Sequence, residues 1–118
     1  MTVLQLRGVF LPDEVERDAW IVDGRLTFER YAGAAETVAD RGWVLPGLVD
    51  AHCHVGLAQG GGHLPDEADQ AEQARADRDA GALLLRDAGS PVDNTAVQRR
   101  DDLPRLVRAG RHIARTRR

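Results

Sequence analysis

The segment at residues 44–55, VLPGLVDAHCHV, constrains the fold of this chain more than any other stretch: an apolar run breaks at Pro46-Gly47, restarts, and ends in two histidines two positions apart. Alternate side chains of a strand share a face, so His52 and His54 point the same way. Their α-carbons then lie roughly 6.5 to 7 Å apart, and two imidazoles reaching out from that spacing can converge on one ion at about 2.0 to 2.1 Å. A strand ending in such a pair is half of a metal site. The other reading is a pair of buried histidines hydrogen-bonded for structure.

Strand and turn signals precede this motif, and strand and helix signals follow it. Residues 2–11 alternate, with Leu4 and Leu6 against Val3, Gln5 and Arg7, and Pro12-Asp13 marks a turn. Asp23-Gly24 between residues 19–22 and 25–28 suits a two-residue type I′ hairpin, whose central residues both need positive φ. A third run at residues 37–45 completes a small β layer, with Trp20, Phe28 and Trp43 as its expected core residues. After the motif, the glycine-rich loop at residues 55–65 lacks both a following Lys-Ser/Thr and a dinucleotide fingerprint, which excludes a phosphate cradle. Residues 66–80 read as a helix capped by Asp66, with Glu67 and Asp69 in its first turn and an alanine stripe at Ala68, Ala71 and Ala74 to Ala76. Gly81 ends the helix, and residues 82–85 (ALLL) form a short apolar strand. Strand, helix, strand is the unit of a parallel sheet. Residues 91–100 hold a helical turn and residues 103–107 begin a third strand.

The lead-in Pro46, Gly47, Leu48, Val49, Asp50 and Ala51 before His52-x-His54 resembles the first barrel strand of the metal-dependent amidohydrolases. Arg86-Asp87-Ala88-Gly89 resembles the second strand of the imidazolonepropionase-like and prolidase-like branch of that superfamily. The resemblance implies an α/β fold, with residues 1–45 as amino-terminal strands of a composite β-sandwich and residues 46–118 as the first two to three units of a (β/α)8 barrel. A complete barrel takes about 250 residues. The chain of 118 residues therefore reads as an amino-terminal piece with open strand edges, marginal alone and inclined to self-association or to pairing with a complementing chain.

The same resemblance implies a divalent metal, zinc by preference, held by His52 and His54. The other family ligands, a carboxylated lysine or its substitute, two further histidines and an aspartate that serves as base, belong to later strands. The implied activity is hydrolysis of a C–N bond in a small-molecule amide or cyclic amide, non-peptide or dipeptide-like. The metal lowers the pKa of its bound water to about 7 and polarises the carbonyl, while a carboxylate carries the proton to the leaving nitrogen. The alternative is a non-catalytic remnant, a metal-binding fragment that pairs with another chain.

Composition narrows these readings. All sixteen basic residues are arginine, so this chain cannot itself supply a carbamate-bridging lysine. Net charge is −3, but residues 99–118 hold eight arginines and two aspartates. Nucleic-acid modules interleave aromatics with such basic runs, and here all five aromatics precede residue 44, which argues against a nucleic-acid partner. The start MTVLQLRG shows no leader pattern and no stretch spans a bilayer, so no membrane partner is expected. The lone Cys53 suits a reducing, cytoplasmic compartment and, with parity opposite to the histidines, reads as a small core residue. Asp50 shares the parity of His52 and His54, and either orients a ligand through the other ring nitrogen or is a buried carboxylate bound to backbone or arginine. Asp87, at the end of its strand beside Arg86, is a further site candidate or one half of a structural pair. His63 in the glycine loop and His112 in the arginine tail match no family ligand position.

Overall fold

A computed structural model describes residues 2–113, and the chain divides into two units, Met1–Pro46 and Gly47–Arg118. In the first unit the central strand is β1 (Leu4–Phe10), and β2 (Val15–Val22) lies antiparallel along one side of it. The hairpin partner β3 (Arg25–Thr27) extends the sheet beyond β2. The turn between them places Asp23 at φ 51° and Gly24 at φ 72°, as a type I′ turn requires. On its other side β1 receives two short parallel strands, β4 (Glu36–Ala39) and β5 (Trp43–Val44), so the expected third run is split in two. The close approach at this edge needs Gly8, because a Cβ there would stand 2.7 Å from the Gly42 carbonyl oxygen.

Leu6, Phe10 and Ala19 form the core of this unit, with Ile21 and Val44 packed against them. Trp20 is buried as expected, but Phe28 and Trp43 are 49% and 63% exposed. Phe28 lays its ring edge-on against Phe10 with centroids 5.0 Å apart, and the Arg17 guanidinium carbon sits 4.9 Å from its centroid. Trp43 stands on a two-residue strand whose one partner is β1.

The second unit runs β6 (Leu48–Cys53), α1 (Glu67–Asp79), β7 (Ala82–Asp87), α2 (Thr95–Gln98) and β8 (Arg105–Arg108). Its three strands pair in the order β6-β7-β8, all parallel. Val55, Ala71, Ala74, Leu85, Val97, Leu103 and Leu106 make its core. The small Ala71 and Ala74 side chains, 2% and 0% exposed, let α1 lie close to the strands. Gly81, at φ 98°, follows the helix and returns its N–H to the Arg78 carbonyl, the left-handed stop that favours glycine. Asp66 occupies the N-cap position without a side-chain capping bond. Leu48, Val49, Leu83 and Val107 remain about half exposed on the strands.

This architecture overturns the expected α/β class of a β-sandwich segment followed by the first units of a (β/α)8 barrel. The first unit is one mixed sheet in which β1 has antiparallel and parallel neighbours. The second is an open three-strand parallel sheet with one helix of 13 residues and one of 4. A (β/α)8 barrel takes eight strands, and among the described residues the sheet ends at β6 and β8. Among the described residues, no helix is long and apolar enough to cross a membrane.

Candidate functional site

The carboxyl end of β6 delivers His52 and His54 side by side, with ring centroids 5.2 Å apart and planes at 79°. His52 is exposed and His54 is half-buried. The His54 Nδ1 lies 2.6 Å from the Gly89 carbonyl oxygen, which can only accept, so Nδ1 is the donor and Nε2 is the ring nitrogen left for a ligand. A histidine fixed in this way through one ring nitrogen is oriented for ligation through the other.

Gly89 reaches this position through a buried relay. Asp87, 1% exposed at the end of β7, accepts the Gly89 N–H at 2.9 Å through Oδ1 and the Asn94 side-chain amide at 2.7 Å through Oδ2. Asn94 also donates to the Val55 carbonyl at 2.8 Å and accepts from Arg108 Nε. Arg108 donates to Thr95 Oγ1 at 2.6 Å and reaches Asp93 at 3.3 Å. Asp87 thus sets the backbone that holds His54, and acts as a positioning residue. Its sequence neighbour Arg86 donates to the Ala51 carbonyl at 3.1 Å and joins β7 to β6.

Asp50 binds backbone, one of its two expected roles. Its Oδ1 accepts the backbone N–H of His52 at 2.9 Å, and its charge acts on Asp77 of α1 and on Cys53. The pairing of β6 with β7 shifts register between Asp50 and Cys53. Burial pushes the Asp77 carboxyl above its usual range, and the Asp50 charge adds to the shift. Burial also pushes the Cys53 thiol up to about 12, reinforced by Asp50, Asp87 and Asp77. Cys53 packs against the core of the unit, and its thiol stays protonated at neutral pH.

Two glutamines of α1, outside its alanine stripe, hold the glycine loop. Gln73 accepts the Gly56 N–H at 2.8 Å and donates to the Leu57 carbonyl at 3.0 Å. Gln70, 1% exposed, donates to the carbonyls of Leu64 at 2.9 Å and Asp93 at 3.2 Å. Their place at the same helical face as Ala71 and Ala74 was the available signal. His63 lies exposed in the loop. His112 stands elsewhere than its tail position implied: its N–H donates to the Ser90 carbonyl at 2.9 Å, and its ring centroid lies 5.7 Å from that of His54. Pro91, Val92, Asp93, Arg108 and Arg111 line a cavity of about 370 Å³ at the ends of β7 and β8.

The donor chemistry of His52 and His54 fits two ligands of a divalent ion. Among the described residues, no group of three His, Cys, Asp or Glu side chains is gathered to hold a metal.

No family model matches the chain. It is 57% identical over 115 residues to an uncharacterized protein of Mycobacterium bovis and, to the same extent, to two uncharacterized proteins of Mycobacterium tuberculosis strains. The match covers 98% of this chain and 30% of each relative, so the chain spans less than a third of their length.

Proposed function

We propose that His52 and His54 supply two imidazole ligands of a zinc-type centre in an amidohydrolase-like hydrolase acting on C–N bonds of small amides, non-peptide or dipeptide-like. The observation that supports this reading most is the paired rings at 5.2 Å with His54 Nδ1 pinned to the Gly89 carbonyl. Each imidazole offers one nitrogen, and Asp87 keeps His54 in the productive tautomer by fixing Gly89. Bound zinc would supply an acidified water and a polarised carbonyl. The cavity of about 370 Å³ falls in the size range of small-molecule sites, and the Arg111 on its wall suits a substrate with a polar or anionic end. The single thiol, half-buried and unpaired, agrees with a reducing, cytoplasmic setting.

The 118 residues alone are expected to bind metal without turnover, since catalytic zinc takes three protein ligands plus water. A chimera tests the hydrolase reading: this chain replaces the corresponding 115 residues of a mycobacterial relative, and a panel of N-acyl amino acids and cyclic amides is assayed with and without zinc. Zinc-dependent turnover, lost in His52→Ala and His54→Ala, is the expected result. A chimera that holds no zinc, or whose turnover ignores both substitutions, contradicts it. The half-exposed Leu48, Val49, Leu83 and Val107 favour a second reading, a metal-binding fragment that associates with another chain.

A further inference from the structure

Two side-chain amides, one from α1 and one from the N-cap of α2, hold the turn that follows β6. The His54 carbonyl accepts the Leu57 N–H at 3.1 Å, which closes the turn over residues 54–57. Gln73 accepts the Gly56 N–H at 2.8 Å, donates to the Leu57 carbonyl at 3.0 Å and reaches the His54 carbonyl at 3.4 Å. Asn94 donates to the Val55 carbonyl at 2.8 Å. The turn also bears on the segment after β7: a Cβ at Gly56 would stand 2.5 Å from Val92 Cγ2 and 2.7 Å from Ser90 Oγ. That segment begins at Gly89, whose carbonyl holds the His54 ring.

We propose that Gln73 is a positioning residue for His54: it sets the turn at the distance from Gly89 at which Nδ1 is bonded, and so helps to decide which ring nitrogen is left for a metal. The claim rests on the metal reading above and adds to it a residue of α1. The bond from His54 Nδ1 to the Gly89 carbonyl joins two backbone segments 35 residues apart, so it forms only while both stay in place. Asp87 fixes the Gly89 end of that span, and Gln73 fixes the His54 end. A carboxamide suits the task because it presents an acceptor and two donors in one rigid plane, matching a turn that offers an N–H and two carbonyls. Gln70, three residues earlier on the same helical face, has a different task. Among the described residues its hydrogen bonds go to Leu64, Pro65 and Asp93, at the far end of the glycine loop, and none to residues 54–57.

The test uses the purified chain with Gln73→Met, which removes all three contacts, Gln73→Glu, which keeps the acceptor for Gly56 and removes the donors, and Gln70→Met as control. Imidazole nitrogen NMR without metal, at a pH where the ring is neutral, reads the His54 tautomer, and competition against a chelating dye reads zinc affinity. Circular dichroism shows which variants are folded, and Gln73→Glu carries the tautomer comparison if Gln73→Met does not fold. The expected result is that both Gln73 variants lose the single Nδ1–H form for a mixture of tautomers, and that Gln73→Met binds zinc about 10-fold more weakly, the low end of what loss of an outer-shell partner costs. Gln70→Met, although less stable to urea, keeps the tautomer and affinity of the parent. Folded Gln73 variants that lose stability but keep the parent's His54 tautomer would overturn the proposal and leave Gln73 an anchor of the loop alone. If the parent chain takes up no zinc, the metal reading falls, and the tautomer comparison decides the role of Gln73 by itself.

Discussion

Replacement of Asp87 tests whether the site is built from the backbone relay. Asp87 accepts two hydrogen bonds from buried donors, the Gly89 N–H and the Asn94 amide, and is itself 1% exposed. Hydrogen bonds to a charged group contribute about 1.5 to 3 kcal/mol each. Asp87→Asn retains one acceptor but turns an amide donor toward the Asn94 donor, a loss of about 1.5 to 3 kcal/mol. Asp87→Ala removes both acceptors and strands a buried amide, for about 3 to 5 kcal/mol, a large share of the roughly 5 to 15 kcal/mol that stabilises a domain. Both tryptophans lie in the other unit, so indole fluorescence does not report on this one. Native-state hydrogen exchange of the β7 amides, with urea unfolding followed by circular dichroism, measures the loss directly. Because Gly89 also holds His54, Asp87→Asn should weaken zinc binding in parallel. A change below about 0.5 kcal/mol, the scale of ordinary surface substitutions, would refute the relay.

Three further outcomes are expected. Cys53, raised to about 12 against about 8.5 for a free thiol, should react with disulfide reagents at pH 8 about 1,000-fold more slowly folded than unfolded. Because the folded thiol holds its proton more tightly, this contribution to stability is full below about pH 8.5 and fades as pH climbs toward 12, which a urea titration series will show. Gly89→Ala should cost about 1 to 3 kcal/mol from its φ of 125°, with the His112 backbone at 3.1 Å adding to the strain, as read from the urea midpoint. The chain should self-associate in sedimentation experiments through Leu48, Val49, Leu83 and Val107, and Leu83→Arg should reduce that association. A monodisperse monomer at all concentrations would contradict the last of these.

Local features were legible in the chain because they depend on near neighbours. The Asp23-Gly24 hairpin follows from turn chemistry, and the parallel pair β6 and β7 around α1 follows from a helical segment between two apolar runs. The paired imidazoles follow from strand alternation. What failed depended on structure beyond those neighbours. The resemblance at Pro46 to His54 carried with it a barrel that an open three-strand sheet does not form. The β6–β7 register shifts just after Asp50, an irregularity that alternation alone does not foresee. Gln73 and Gly89 join the site through contacts that span tens of residues, with no local pattern to announce them.

The central claim, that His52 and His54 ligate one metal through a fixed tautomer of His54, is tested most directly by imidazole nitrogen NMR during a zinc titration. The account predicts a His54 ring protonated at Nδ1 before zinc is added, as the Gly89 carbonyl requires. It predicts stoichiometric shifts at His54 Nε2 and at one ring nitrogen of His52, with His54 Nδ1–H retained throughout. Ring signals of His52 and His54 that do not move at one equivalent of zinc, or a His54 that binds through Nδ1, would contradict it.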